Sequence, residues 1–130
     1  GLGLAGRLRL PGWVSDPGPY IAAGDVFCCP SSHEPLGNVV LEGWAQAKPV
    51  VATASEGPSW LIRNGENGLL TPLSDATALG AAFTRLRNDR AELDAIGSTG
   101  RQELIHSFSQ ERICRQYLDL LFAHGVELQK

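Results

Sequence analysis

Short apolar runs alternate along the chain with longer segments whose apolar residues recur every three or four positions. The runs at residues 25–31, 49–53 and 68–72 are brief and bounded by Gly, Pro or Ser, which is typical of strands buried on both faces of a sheet. Residues 7–14, RLRLPGWV, predict a further strand that ends at the Pro-Gly pair. The pattern therefore predicts four short strands.

Helical periodicity fills the segments between these runs. A turn and a short helix are expected at residues 16–24, a helix at 37–47, a loop or one-turn helix at 55–68, and a long helix at 74–89. Ser74 or Asp75 can cap the long helix. The apolar positions are Val39, Val40, Gly43 and Trp44 in the second helix and Leu79, Ala82, Phe83 and Leu86 in the long one.

The tail of the chain continues this helical pattern. Residues 89–107 predict one or two helices, and residues 109–125 predict another that stops at Gly125. The last helix has an apolar face that we expect to join the core rather than to bind a partner. That face is formed by Ile113, Tyr117, Leu120 and Leu121.

Strands separated by helices predict an α/β fold. Connections of this kind are right-handed and produce a parallel sheet covered by helices, which is a Rossmann-like doubly wound arrangement. The first predicted strand begins almost at the first residue, so we expect the chain to be cut from something longer. No internal repeat, low-complexity tract or linker interrupts residues 1–130, which predicts a single unit.

Charge and composition limit the partners of the chain. Its 130 residues carry a net charge of −3, and its scattered basic residues do not form the clusters that neutralise phosphates, so we predict no nucleic-acid partner. No stretch approaches the roughly 18 to 20 apolar residues of a membrane span, and the N-terminus lacks the regions of a signal peptide. We therefore expect a cytoplasmic protein.

The cysteines predict neither a disulfide scaffold nor a metal site. Three cysteines are an odd number in a chain without an export signal. Cys28 and Cys29 are neighbours on a predicted strand and point to opposite faces, so they cannot easily share one ion even with His33 nearby. We expect both to be small buried hydrophobic residues, and we expect no metal.

The segment HEPLGNVVLE, residues 33–42, is the candidate functional site. It follows a predicted strand at the carboxyl edge of the sheet, where folds of this type bind ligands. Gly37 permits close approach, and the following helix offers backbone N–H groups and the positive end of its dipole. Glu34 precedes the helix and Glu42 lies inside it, so the pair suits a phosphate-linked polyol whose hydroxyls bond to carboxylates.

The order of motifs resembles one known family. The chain has a G-x-V turn near Gly12, two glutamates separated by seven residues, a P-V-V-A strand and an N-G-x-N-G-L-L turn. Together they resemble the C-terminal, nucleotide-sugar-binding domain of the group one glycosyltransferases, which have the two-domain GT-B architecture. The resemblance covers nearly the whole chain and implies that residues 1–130 are the C-terminal part of that domain, without the acceptor-binding N-terminal domain.

The resemblance also implies roles for individual residues. Glu34 would lie beside the transferred sugar as the catalytic residue, although not as a covalent nucleophile, and Glu42 would bind the ribose hydroxyls. Val14 would lie near the base. Backbone amides of the donor-binding stretch, formed by Leu36, Gly37, Asn38 and Val39, would contact the sugar and diphosphate.

The implied enzyme is retaining and needs no cofactor or bound metal. It would transfer a sugar from a nucleotide-diphosphate sugar to a saccharide or lipid-linked acceptor in glycoconjugate or cell-envelope polysaccharide synthesis, lipopolysaccharide included. The isolated chain would bind the donor weakly, if at all, and would not catalyse. Peripheral association of the parent enzyme with the inner membrane face stays open.

The chain departs from the family pattern at one position. The family has a G-G-x-x-E loop, whereas residues 56–60 place Trp60 where the acid is expected, and this leaves a non-catalytic nucleotide-sugar-binding module as an alternative. A sugar-nucleotide epimerase or a phosphorylase-like enzyme is another. A dinucleotide-binding oxidoreductase is disfavoured because no G-x-G-x-x-G follows the first strand.

Simpler interpretations apply to several of these residues. Glu42 could be a solvated residue on a helix face. Trp44 and Trp60 are expected to pack against the sheet rather than to stack on a base. The three histidines, His33, His106 and His124, are expected to be loop or surface residues rather than ligands or bases.

Overall fold

The computed structural model describes residues 3–123. Its helices are α1 (Gly18–Ala23), α2 (Asn38–Ala45), α3 (Glu56–Leu61), α4 (Ala76–Asn88), α5 (Arg90–Ser107) and α6 (Gln110–Ala123), and its strands are β1 (Phe27–Cys29), β2 (Val50–Thr53) and β3 (Leu69–Thr71). The strands form a parallel sheet in the order β1-β2-β3. The predicted α/β class and the parallel sheet are confirmed.

The central strand β2 is buried on both faces. Val50 and Ala52 belong to a cluster with residues of α2 and α3, whereas Val51 belongs to a second cluster with residues of α4 and α5. This alternation follows from the two-residue period of a strand. Helices therefore cover both faces of the sheet, as the doubly wound prediction requires.

The strand predicted at residues 7–14 is wrong. Leu8 and Leu10 are 58% and 82% exposed, and the backbone N–H groups of Arg7 and Leu8 donate to the carbonyl of Leu4 in a turn. A strand needs a neighbour to pair with, and among the described residues β1 pairs only with β2. The sheet described here therefore has three strands rather than four.

The expected burial of the last helix is also wrong. Within the described residues α6 buries no side chain, and Tyr117 is 65% exposed. The main contact of α6 within residues 3–123 is with α5, and this contact is too small to bury the apolar face of the helix. The predicted stop at Gly125 lies outside the described residues, as does His124.

Trp44 is fully buried, which confirms its predicted packing. Its indole Nε1 donates a hydrogen bond to the backbone carbonyl of Asn67 at 2.8 Å. The indole lies so close to α5 that a Cβ added at Gly100 would come within 2.3 Å of the Trp44 ring. This contact joins α2, α5 and the turn before β3.

The end of α2 is a Schellman motif with an unusual residue. The N–H of Lys48 bonds to the carbonyl of Gly43 and the N–H of Ala47 to that of Trp44, which is the paired pattern of this motif. The motif requires a left-handed backbone after the cap, and Ala47 adopts it with φ of 52°. A side chain at this conformation is strained.

Replacing Ala47 with Gly should therefore stabilise the protein. We expect Ala47→Gly to raise the free energy of unfolding by about 0.5 to 1 kcal/mol, because relief of left-handed strain exceeds the added chain entropy. Urea unfolding monitored by circular dichroism measures the change. Ala81→Gly, at an exposed position inside α4, is the matched control and should lower stability. Equal losses in the two variants would contradict the strain at Ala47.

Candidate functional site

Gly37 starts α2 in a conformation that favours glycine. Its φ is +73°, and an added Cβ would lie 2.7 Å from Cδ1 of Leu61 and 3.0 Å from the carbonyl carbon of Gly57. Both the left-handed backbone and the close packing exclude a larger residue. The group that approaches Gly37 closely in the structure is α3 of the same chain, and the approach of a ligand to Gly37 stays a prediction.

The loop before α2 is attached to the first turn of α3. The N–H of Gly57 donates to the carbonyl of Glu34 at 2.7 Å. A Cβ at Gly57 would lie only 2.2 Å from the Gly37 nitrogen. Beside this contact, Nδ1 of His33 lies 2.9 Å from Oε1 of Glu56. The loop is therefore held by one backbone bond and one side-chain pair.

The half-buried carboxylate of Glu34 lies at the tip of α2. Its Oε1 accepts a hydrogen bond from the N–H of Gly37 at 3.1 Å. The positive end of the helix dipole favours a negative group at this position. One of the amides predicted to contact a donor is thus engaged by Glu34 itself, which shows that this amide can bind an anionic oxygen.

The second carboxylate lies further along α2. Glu42 and Asn38 are exposed and four residues apart, so they share one face of the helix. Glu42 lies about 6 Å along the helix axis from Asn38. The structure thus places the glutamates where the sequence predicted, one in the loop and one inside the helix.

The other predicted donor-binding residues differ in exposure. Leu36 is 70% exposed, and Val39 is half-buried against the core cluster beneath α2. Val14 is half-buried in the segment leading to α1. That segment continues to Gly18, whose added Cβ would lie 3.2 Å from Nε2 of Gln46, at the end of α2 remote from Gly37. A role for Val14 near the base stays a prediction.

The His33–Glu56 pair was not foreseen from the sequence. Both side chains are exposed, as expected for His33 in a loop. The pKa of Glu56 lies below its ordinary value, first because its own backbone N–H bonds to the carboxylate and second because His33 does. The sequence feature that could have indicated this pair is the acidic residue before Gly57, in the loop that differs from the family pattern. His106 is exposed on α5, as predicted.

Two hydroxyl residues behind the loop were also missed. Oγ1 of Thr53 donates to the carbonyl of Ser31, joining β2 to the segment after β1. The hydroxyl of Ser55 is buried and has no hydrogen-bond partner among the described residues. Neither residue belongs to a recognisable spacing pattern, and only the fold brings them to the carboxyl edge of the sheet.

Trp60 does not pack against the sheet, contrary to expectation. Its side chain is 76% exposed, because the buried face of α3 is formed by Gly57, Pro58 and Leu61. Its ring contacts Phe108 edge-on, with centroids 6.0 Å apart. Trp60 is therefore a surface residue anchored at one edge.

Two surface depressions lie near different parts of the fold. One of about 230 Å³ is at the carboxyl edge of the sheet, between Pro30, Thr53 and the start of α4. A wider one of about 590 Å³ lies along α6 beside Cys114. Neither includes Glu34 or Glu42, so cavity size does not identify the site.

The two cysteines of β1 are buried to different degrees. Cys29 is buried and Cys28 half-buried. Burial, followed by the nearby Cys29, raises the pKa of the Cys28 thiol, which disfavours the reactive thiolate. Within residues 3–123 no group of three or more His, Cys, Asp or Glu side chains could bind a metal ion. Metal independence of the reaction stays a prediction.

A family model and individual known proteins resemble the chain, and both point to glycosyltransferases. A family model described as group 1 glycosyl transferases matches residues 1–89. The chain is 48% identical over 120 residues to the lipopolysaccharide core biosynthesis glycosyltransferase LpsE of Rhizobium meliloti (strain 1021), a match that covers 92% of this chain and 35% of that protein.

Solved structures share the fold. The crystal structure of Anabaena Alr3699/HepE in complex with UDP matches with a TM-score of 0.90 and 28% identity, over 93% of this chain and 34% of that one. The same protein in complex with UDP-glucose matches with a TM-score of 0.88 and 28% identity, over 94% and 34%. The predicted fold class is confirmed, and the chain spans about a third of the length of these proteins.

The contact between Gly57 and Gly37 leads to a stability prediction. Gly57→Ala should lower the free energy of unfolding by about 1 to 3 kcal/mol. The added Cβ would overlap the Gly37 backbone and push the loop before α2 away from α3. Thermal unfolding measures this loss. Gly80→Ala is the matched control, since an added Cβ there meets nothing within 4 Å, and it should be neutral or stabilising. An unchanged melting temperature in Gly57→Ala would contradict the close packing.

Proposed function

The chain belongs to the group 1 glycosyltransferase family, and from this premise we propose that its parent protein transfers a sugar from a nucleoside-diphosphate sugar. The proposed acceptor is a saccharide or a lipid-linked saccharide of the cell envelope. The lipopolysaccharide core biosynthesis role in the name of LpsE supports this acceptor class. Residues 1–130 are then the C-terminal part of the donor-binding domain.

The observation that carries the proposal is the anionic oxygen at the tip of α2. The Gly37 amide already binds a carboxylate oxygen of Glu34 at 3.1 Å, in the field of a helix N-terminus. A donor diphosphate presents oxygens of the same charge. HepE has the same fold, and its complexes with UDP and with UDP-glucose support a donor of this kind.

In the proposed complex the donor lies along the side of α2 that carries the exposed Asn38 and Glu42. Amides of residues 36–39 bind the sugar and diphosphate, Glu42 accepts hydrogen bonds from the ribose hydroxyls, and Val14 lies near the base. The backbone of Gly37 is packed on α3, and Glu42 is carried by the helix itself. A fixed set of donors reduces the entropy lost when the ligand is ordered.

Glu34 is the proposed catalytic residue. Transfer breaks the bond between the anomeric carbon and the phosphate oxygen and forms one from that carbon to an acceptor hydroxyl oxygen, whose proton passes to the departing diphosphate. Positive charge therefore develops on the sugar and negative charge on the diphosphate. A carboxylate beside the sugar stabilises the first charge and orients hydroxyls, and the tip of α2 stabilises the second. We propose a retaining outcome without a covalent glycosyl-enzyme bond to Glu34 and without a bound metal.

The proposed location is cytoplasmic, with peripheral contact to the inner membrane face through parts of the parent protein outside this chain. Among the described helices none is both long and apolar enough to cross a bilayer. Lipid-linked acceptors would bring such an enzyme to the membrane surface without a span.

A non-catalytic nucleotide-sugar-binding module is the second candidate. Trp60 occupies the place of an expected acid and is exposed, so the chemistry of that loop differs from the family pattern. Transfer of a labelled sugar by the full-length protein would exclude this candidate.

Removal of the Glu42 carboxylate tests donor binding. In the full-length protein we expect Glu42→Ala to weaken binding of nucleoside-diphosphate sugars about ten- to hundredfold, because hydrogen bonds to charged groups are strong. Calorimetric titration with a panel of nucleotide sugars measures the affinity. Glu111→Ala removes an exposed carboxylate from α6 and should change nothing. Unchanged affinity in Glu42→Ala, or preference for a nicotinamide cofactor, would refute the assignment.

The chain by itself should not catalyse transfer. The acceptor site is proposed to lie largely in the rest of the parent protein, so the 130-residue chain should give no product when incubated with labelled nucleotide sugars and a saccharide acceptor. Full-length protein at the same concentration is the positive control. Turnover by the short chain would show that the acceptor site is contained within it.

A further inference from the structure

Trp60 presents an exposed indole close to the loop that carries Glu34. The N–H of Gly57 donates to the Glu34 carbonyl at 2.7 Å, and Trp60 follows three residues later, about 4.5 Å along the helix axis. The indole is 76% exposed. A large apolar surface next to a proposed reaction centre is unexpected for a residue without a ligand, because its exposure costs hydrophobic free energy.

The indole is anchored rather than loose. Its ring meets Phe108 in an edge-to-face contact at 76°, with ring centroids 6.0 Å apart. Phe108 in turn lies 6.5 Å from the ring of the buried Trp44. The three rings form a continuous aromatic path from the core to the surface. An ordered ring loses little rotamer entropy when a ligand binds to it.

Polar groups flank the indole on the same side of α3. Glu56 is four residues before Trp60 and therefore its neighbour on the helix surface, and its carboxylate pairs with His33 at 2.9 Å. Ser59 is exposed beside them. An apolar partner laid over this surface would remove the carboxylate and imidazole from water without compensation, which is costly.

A sugar ring suits both parts of this surface. One face of a pyranose carries C–H groups that fit against the negative face of an aromatic ring, while the hydroxyls at its edge bond to carboxylate and imidazole groups. The diphosphate and ribose of the donor are already assigned to α2, and its transferred sugar to Glu34, where the acceptor must meet it. The remaining saccharide in the reaction is the acceptor.

We propose that Trp60 stacks on a saccharide ring of the acceptor, with Glu56 and His33 binding hydroxyls at its edge. This inference rests on the proposed glycosyl transfer. It also accounts for the tryptophan at the position where the family has an acid, since the residue would determine acceptor specificity.

Kinetics of the full-length protein test the proposal. With a core oligosaccharide released from lipopolysaccharide by mild acid as the acceptor, Trp60→Ala should raise the acceptor KM about three- to tenfold. The KM for the nucleotide sugar should stay within about twofold, and Trp60→Phe should recover most of the loss. Tyr117→Ala removes an aromatic ring that is 65% exposed on α6 and is the matched control. An unchanged acceptor KM in Trp60→Ala would overturn the proposal.

A binding measurement separates this proposal from the proposed function. In full-length protein labelled with 5-fluorotryptophan, the ¹⁹F signal that disappears in Trp60→Phe should shift when the oligosaccharide is added with or without UDP, while the signal of the buried Trp44 should not. A Trp60 signal that never moves refutes the stacking. Failure of nucleotide sugars to bind the wild-type protein in calorimetry refutes the donor site instead, whatever the Trp60 signal does.

Discussion

The backbone contact between Gly57 and Gly37 is the constraint on which the site depends. A Cβ on either glycine would overlap the other segment, so the loop and α3 can approach only because both side chains are absent. The approach brings the Gly57 N–H to the Glu34 carbonyl and orients Gly37 so that its amide meets the Glu34 carboxylate. The position of Glu34 therefore follows from packing between two backbones, and its carboxylate adds one hydrogen bond from the Gly37 N–H.

The elements around this contact were largely predictable because their signals are local. Short apolar runs closed by turn residues gave all three strands of the sheet, and helical spacing gave α2 and α4, including the Asp75 cap, whose side chain accepts a hydrogen bond from the Ala78 N–H. The burial of Trp44 followed from the same spacing. A local pattern sufficed where the covering surface lies within residues 3–123.

The failed predictions share one physical cause, since amphipathic patterns do not reveal which surfaces cover them. The strand at residues 7–14 has no described neighbour, and the apolar face of α6 buries no side chain fully within the described residues. Trp60 was expected to pack against the sheet but lies on the exposed side of the short helix α3. In the site, the glutamate spacing was visible in the sequence, whereas Gly57 and Gly37 are twenty residues apart and their contact depends on the fold.

The hydrogen bond from the Trp44 indole to the Asn67 carbonyl has a mechanical consequence for α2. It joins the C-terminal half of that helix to the turn preceding β3. The ring also packs so closely on Gly100 of α5 that there is no room for a Cβ at that position. Axial sliding of the helix would break this bond inside a dry interior. An arriving substrate therefore meets a helix whose position along its own axis is already set.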